Sequence, residues 1–319
     1  MKILVTGGAG FIGSNIVGKL LQNPRIKQLV VLDNFSTGFE KNISEFFGYD
    51  KFKFINGDIR DAELCKKIVS DVDGICHQAA LGSVPRSIAE PMVSHDVNVN
   101  GFLNILNAAK SNGVRRIVYA SSSSVYGDLN ESPKVESRVG RVLSPYAATK
   151  MTNELYAEAF AKCYGMTIVG LRYFNVFGPK QDPNGAYAAV VPLFIKAGLT
   201  GTSPLINGDG SITRDFTPVE NVVQINTKAL LSDKLEPSRH YVFNVACGQT
   251  TDLNTLWGLI KSATHSNSEA VHGLNRPGDI FFSLADVTSA TNILDYKPNS
   301  DLKNAIQQAV QDYKKRFFC

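Results

Sequence analysis

Cysteine is scarce in this 319-residue chain. The five that occur, Cys65, Cys76, Cys163, Cys247 and Cys319, are far apart and odd in number. No disulfide framework or paired-cysteine metal motif is visible, so no metal is expected. Long apolar runs are lacking too. Each is broken well before the roughly eighteen residues of a membrane helix, which excludes a membrane-spanning role. No block of like charge and no basic–aromatic alternation occurs, so nucleic acid is not an expected partner. The start, MKILVTGG, lacks the charged-then-apolar pattern of a secretion signal. A reducing, cytoplasmic setting is expected.

The composition that remains is that of an ordinary globule, 44% hydrophobic and 19% charged, with a net charge of +4. The length allows one large or two modest domains. Short apolar segments alternate with amphipathic ones. KILVTGG, QLVVLDN, FKFINGDI, GICHQAA, RRIVYASSSSVYG and TIVGLRYFNVFG read as strands. FIGSNIVGKLLQNP, AELCKKIVSDV, NVNGFLNILNAAKSNG and YAATKMTNELYAEAFAKCYG read as helices. That rhythm predicts βαβ units: an α/β fold with a doubly wound parallel sheet buried on both faces. From about Pro179 the rhythm changes to a smaller, mostly C-terminal α/β lobe, with helices near 252–264 and 301–318. The expected division is 1–178, with 216–244 returning to it, against 179–215 and 245–319.

GGAGFIG supplies Gly7, Gly10 and Gly13 after the first strand and before the first helix, the context of a dinucleotide loop. Gly7 permits a tight turn, Gly10 lets backbone amides reach a pyrophosphate, and Gly13 permits close helix–strand packing. The helix N-terminus then faces the negative charge. Asp33, ending the second strand, suits the ribose hydroxyls and disfavours a 2′-phosphate, which points to NAD rather than NADP. Asp58, after the third strand, lies where an adenine edge would sit.

Tyr146 and Lys150 are one helical turn apart and share a face. A phenol titrates near about pH 10 and is a poor base unless a cation holds its proton off. The helix follows LSP, a start signal, and serines 121–124 lie just past the fifth strand. In open α/β sheets ligands collect at the strands' carboxyl ends. These groups therefore converge beside a cofactor, with Lys150 and a positive nicotinamide favouring phenolate, and Ser122 holding the same substrate hydroxyl. His77 has no partners nearby in sequence and reads as a packing residue. LGSVPRS reads as a loop over the site, carrying Ser83 and Arg86.

These motifs, together with RYFNVFGP, GDGSITRDF and RPGD, run nearly end to end, and the chain resembles the extended short-chain dehydrogenase/reductase family. Within it, the UDP-sugar 4-epimerases are the nearest likeness. The resemblance implies a seven-stranded Rossmann domain with a small substrate domain, a homodimer built through a four-helix bundle, and a tightly held NAD. Tyr146, Lys150 and Ser122 match the catalytic set. Phe11, Ile12, Asp33, Asn34, Gly38, Asp58, Ile59, Ala79, Ala80, Asn98 and Phe174, with Tyr146 and Lys150, would touch the cofactor. Ser122, Ser123 and Asn175 would meet the sugar or diphosphate. Ala189, Val190, Asn207, Arg214, Arg276 and Asp279 would hold the UDP end.

Related 4,6-dehydratases carry an Asp–Glu pair where Ser123 and Ser124 stand here, so 4-epimerisation is the implied reaction. Ser283 stands where epimerases restricted to glucose and galactose tend to place a tyrosine. The resemblance therefore implies interconversion of UDP-N-acetylglucosamine and UDP-N-acetylgalactosamine, in surface polysaccharide synthesis. The alternatives are a UDP-glucose 4-epimerase proper, a dehydratase or uronate epimerase, and an inactive NAD-binding regulator.

Overall fold

The computed structural model describes residues 1–185, 188–274 and 282–318. The strands are β1 (Lys2–Thr6), β2 (Gln28–Asp33), β3 (Phe52–Asn56), β4 (Gly74–His77), β5 (Arg116–Ser122), β6 (Thr167–Tyr173), β7 (Val176–Phe177), β8 (Leu205–Asn207), β9 (Thr213–Arg214), β10 (Thr217–Pro218), β11 (His240–Val245), β12 (Thr251–Asp252), β13 (Val271–Gly273) and β14 (Phe282–Ser283). The helices are α1 (Phe11–Leu21), α2 (Ala62–Val69), α3 (Val84–Ala89), α4 (Pro91–His95), α5 (Gly101–Ser111), α6 (Pro145–Tyr164), α7 (Val190–Thr200), α8 (Val219–Leu231), α9 (Leu253–Thr264), α10 (Thr288–Leu294) and α11 (Leu302–Phe317).

Seven strands form one sheet in the order β11-β6-β5-β4-β1-β2-β3. Every pair in it is parallel. The chain winds outward from β1 to β3, then returns beside β1 as β4 and winds the other way. The winding reverses between β1 and β4, where a doubly wound sheet opens its ligand crevice.

The strands read as continuous apolar runs because both faces are covered. Alternate residues feed opposite cores. Ile3, Val5, Leu29, Val31, Val118 and Val169 meet α1 and α8. Leu4, Val30, Leu32, Ile75, Ile117 and Ile168 meet α2, α5 and α6. Ala290, Leu294 and Tyr296, from α10 and just beyond it, join the first of these cores. A third core belongs to the smaller lobe, where Phe194, Ile195, Leu256, Trp257, Ile260, Ile306 and Val310 bring α7, α9 and α11 together.

Two local readings are corrected. TIVGLRYFNVFG is not one strand: the chain leaves the sheet at Asn175, whose φ of 34° breaks the extended backbone. Val176–Phe177 then pairs with β10. LGSVPRS is not a loop: Val84–Ala89 is helical, with Ser83 as its cap accepting from the Arg86 N–H and proline near the start. Those cap and proline signals are the usual helix-start chemistry. Among the described residues no helix is long and apolar enough to cross a membrane.

Candidate active site

Gly7 follows β1 with φ of 69°, a conformation that costs glycine little and other residues much. A Cβ there would lie 2.5 Å from the Ala79 nitrogen, just beyond β4. A Cβ on Gly13 would lie 2.1 Å from the Gly7 carbonyl oxygen, so α1 packs tightly onto the loop. Gly10 caps α1 with no side-chain hydrogen bond, and no acid lies in the first turn. The result is a helix N-terminus with its positive end and amides free of side-chain caps, which fits a pyrophosphate.

Asp33 is buried, and its carboxylate accepts from the Ala9 N–H at 2.9 Å and the Phe35 N–H at 2.8 Å. Burial pushes its pKa up, and these amides oppose the rise. Its remaining lone pairs suit a ribose hydroxyl. Asn34 donates to Asp58 at 2.8 Å, and Arg60 bonds Asp58 at 2.7 Å. The Arg60 hydrogen bond is the main reason Asp58 is held below its usual range.

The catalytic candidates stand where β5 and α6 meet. Ser144 caps α6 by accepting from the Ala147 N–H at 3.1 Å, and Pro145 occupies its first turn. Lys150 is buried, and its Nζ donates to the Ala120 carbonyl on β5 at 2.8 Å. Burial pulls its pKa down to about 8. Ser122 accepts from the Ser124 N–H at 3.1 Å, and its side chain opposes the burial-driven rise of the Tyr146 phenol. Ser122 keeps its O–H donor while its oxygen accepts from that amide, and donation of that O–H to Tyr146 would favour phenolate.

Burial raises the phenol, and the chain's opposing contribution comes from Ser122. The Lys150 Nζ lies 5.9 Å from the Tyr146 ring centroid, with one of its three N–H donors on Ala120. His77 is the packing residue its isolation implies: buried, hydrogen-bonded to Thr6 Oγ1 at 2.8 Å, and held neutral with a pKa pushed down to about 3 by burial.

Three residues expected at the cofactor are turned inward. Asn98 is 1% exposed; its amide is spent on the Leu81 backbone and Thr149. Phe174 is fully buried and stacks at an angle on Tyr126. The Ile59 side chain is buried in the core, and its carbonyl accepts from Asn104. Ala79 and Ala80 keep part of their surface open. Gly38 is buried against Ala9.

On the other lobe, Arg214 lies in β9 between β12 and β14, and Ser283 pairs with it in parallel register. Asn175 is exposed and donates to the Asp215 carbonyl at 3.1 Å. Asp215 is itself buried, accepting from the Cys247 and Gly248 N–H groups at 2.9 Å each, with burial pushing it up to about 6. Ala189 begins α7 with no side-chain cap, followed by Val190, and α7 has no acid in its first turn, a second helix start suited to phosphate. Asn207 ends β8 opposite Gly273. Ser123 lies in the turn after β5, and Ser83 and Arg86 on α3 are half-buried. Arg276 and Asp279 lie outside the described residues.

Sequence reasoning missed Ser87. This buried serine accepts the Tyr146 N–H at 3.0 Å, while Thr149 donates to the Tyr146 carbonyl at 2.7 Å. The cap signal at Ser83 is what could have flagged a helix carrying it. A cleft of about 310 Å³ behind α1, lined by Asn15, Lys19, Phe177, Pro179, Glu220 and Gln308 among others, holds none of the catalytic candidates. Among the described residues no cluster of histidine, cysteine or acids is suited to a metal.

Solved structures resemble this chain over nearly its whole length. The UDP-N-acetylglucosamine 4-epimerase of Methanobrevibacter ruminantium M1, solved with UDP-N-acetylmuramic acid, is 38% identical, with 99% of each chain covered and a TM-score of 0.93. The UDP-glucose 4-epimerase of Thermotoga maritima, solved with UDP-glucose, is 35% identical over 99% of each chain, with a TM-score of 0.91. The UDP-glucose 4-epimerase of Thermus thermophilus, solved with NAD, is 31% identical over 99% of this chain and 100% of that one, with a TM-score of 0.88. With residues 3–246 matching its sequence profile, the chain belongs to the NAD dependent epimerase/dehydratase family.

Proposed function

We propose that this protein interconverts UDP-glucose and UDP-galactose by inverting C4 of the sugar. The observation that carries the reading is the cluster at the catalytic edge: Ser122, held by the Ser124 N–H at the end of β5, and the buried Lys150, on the helix that Tyr146 opens and held by Ala120. It is the arrangement needed to take a proton from a sugar hydroxyl and give it back. The two UDP-glucose 4-epimerases among the similar structures support the plain hexose. A second reading, UDP-N-acetylglucosamine and UDP-N-acetylgalactosamine, is favoured by the small side chain of Ser283 and by the Methanobrevibacter enzyme.

Bound NAD supplies the ring that accepts hydride from C4 and returns it to the opposite face, and its positive charge adds to the pull on the phenol's proton. Tyr146 receives the proton of the 4-hydroxyl as the 4-keto sugar forms and returns it when the epimer forms. Ser122 steadies that oxygen. Lys150, fixed by Ala120, supplies positive charge beneath the phenol. Arg214, with the starts of α7 and the Asn207 strand, holds the UDP end, and Arg276 and Asp279 are proposed to join them. This grip leaves the keto ring free to turn over. Asn175, Ser123, Ser83 and Arg86 border the sugar. Gly7, Gly10, Phe11, Ile12 and Gly13 receive the pyrophosphate, and Asp33, Asn34 and Asp58 the adenosine.

Functionally, the sheet with 1–178 and 216–244 is the cofactor lobe, and α7, α9 and α11 carry the nucleotide lobe. Val84, Ile88, Met92 and Val93 on α3–α4 and Leu155 on α6 are exposed apolar residues. We propose that a second copy covers them, which light scattering tests as a dimer mass. The buried free thiols of Cys65 and Cys76 fit a reducing compartment.

The reading is tested by incubating the protein with UDP-glucose and, separately, UDP-N-acetylglucosamine, and following products by proton NMR. The galacto epimer of the plain sugar is expected. A dehydrated keto-sugar, or no epimer from either substrate, overturns it.

A further inference from the structure

Asn42, in the short 3-10 turn Glu40–Asn42 after β2, is 1% exposed and bonds in four directions. Its Nδ2 donates to the Ala9 carbonyl at 2.9 Å, and its backbone N–H donates to Phe39, whose own N–H shares that carbonyl. Its Oδ1 accepts from Arg316 Nη1 at 2.9 Å, and its carbonyl accepts from Lys180 Nζ at 2.8 Å. Ala9 lies inside the glycine-rich loop, with its N–H already held by Asp33. Ala9, the residue preceding the cap of α1, is thus held at its N–H by Asp33 and at its carbonyl by Asn42.

Arg316 and Lys180 do not belong to that loop's own layer. Arg316 is in the last turn of α11, a helix of the smaller lobe's core. Lys180 sits where the chain crosses between lobes, with φ of 71°. Such a backbone in a lysine persists only when its surroundings over-determine it. Here Asp312 of α11 accepts the Lys180 N–H at 2.8 Å and the Arg316 Nε at 2.8 Å. Asn15 of α1 also donates to the Pro179 carbonyl at 3.0 Å. The bonds close a path from the cofactor loop, through Asn42, to α11.

We propose that Asn42 and Arg316 are positioning residues that couple grip on the dinucleotide to seating of the nucleotide-sugar lobe, an inference that rests on the NAD and UDP-sugar reading above. A ligand that holds the smaller lobe in place holds Arg316, which holds Asn42, which fixes the peptide that aims the α1 amides. By linkage, UDP tightens dinucleotide binding and the dinucleotide tightens UDP binding by the same factor, and the tighter grip is read as slower release. This device suits a reaction whose cofactor must stay through every cycle.

The test loads the purified full chain with NADH, chases with excess NAD, and follows loss of bound-NADH fluorescence with and without saturating UDP. In the wild type UDP is expected to slow release about tenfold or more, a coupling within the usual range. In Arg316→Met and Asn42→Ala that factor is expected to shrink to about twofold or less. Arg316→Lys, which keeps one donor, falls between, and the exposed Lys315→Met behaves as wild type. A merely structural role would change release and melting temperature without erasing the effect of UDP. Should Asn42→Ala fail to fold, the Arg316 pair decides. Full UDP protection persisting in Arg316→Met overturns the coupling alone, as does wild type that binds UDP by calorimetry yet releases NADH no more slowly. Wild type that binds neither UDP nor NADH takes down the functional reading and the coupling together.

Discussion

Tyr146 and Lys150 stand on a helix of 20 residues, and Ser122 ends a strand of seven. Arg214 and Ser283 stand on strands of two residues each. The first set is anchored from several sides: Ser87 and Thr149 hold the Tyr146 backbone, Ala120 holds the Lys150 ammonium, and the Ser124 amide holds Ser122. The second set gains its place from pairing in a three-stranded patch. Proton transfer needs atoms fixed to fractions of an ångström, whereas holding a diphosphate while a ring turns needs charge more than rigid placement. The two ends should therefore fail in different ways when altered.

The largest expected effect is at the fixed end. Tyr146→Phe removes the phenol oxygen proposed to carry the 4-hydroxyl proton and should lower kcat by about 10³ to 10⁴, within the range for a positioned acid–base group. The fold and NAD content should survive, because the ring remains. Steady-state rates on UDP-glucose with circular dichroism check this. Turnover within about tenfold of wild type would remove Tyr146 from its role.

The support beneath that end comes next. Arg172 on β6 and Glu154 on α6 form a buried pair at 2.7 Å, 4% and 8% exposed, and Ser121, next to Ser122, donates to Glu154 at 2.6 Å. Arg172→Met leaves a buried carboxylate unpaired and should cost roughly 3–5 kcal/mol, read by urea unfolding. Replacing both charges, as Arg172→Met with Glu154→Met, should cost less than the single change. If the single substitution is nearly neutral, the pair is not what fixes α6 to β5.

How much of this was legible beforehand follows from distance along the chain. The glycine loop, Asp33 and the Tyr146–Lys150 spacing are local patterns whose geometry follows from one turn of helix or one strand end; the glycine loop falls at the switch point after β1, Asp33 at the end of the neighbouring β2, and Tyr146 and Lys150 beside β5. The doubly wound sheet was legible for the same reason. Ser87 holds Tyr146 from 59 residues away, and Arg316 reaches Asn42 from 274 residues away. No spacing rule encodes such contacts. The break at Asn175 was hidden because Tyr173, Val176 and Phe177 are good strand residues on either side of it.

At the looser end, Arg214→Met should raise KM for the UDP-sugar by about 10- to 100-fold, the worth of one charge-assisted hydrogen bond, with a much smaller change in kcat. Initial rates across substrate concentration separate the two. An unchanged KM would mean that the diphosphate is held elsewhere.

The smallest effect is expected at Ser283, and it concerns choice rather than rate. Ser283 is the register partner of Arg214, so a side chain there lies one strand from the proposed diphosphate grip. Ser283→Tyr adds a ring where a C2 substituent would have to pass, while the hydroxyl of a plain hexose asks for little room. A clash with an acetyl group is a difference in fit of a few heavy atoms, worth roughly ten- to a hundredfold in kcat/KM. The ratio of kcat/KM for UDP-N-acetylglucosamine to that for UDP-glucose should fall by about that factor, with UDP-glucose itself changed less than about threefold. Because the measurement is a ratio within one variant, loss of folded protein cancels from it. A ratio that stays at the wild-type value would place the C2 group away from Ser283 and leave the choice of sugar to the Asn175 side of the site.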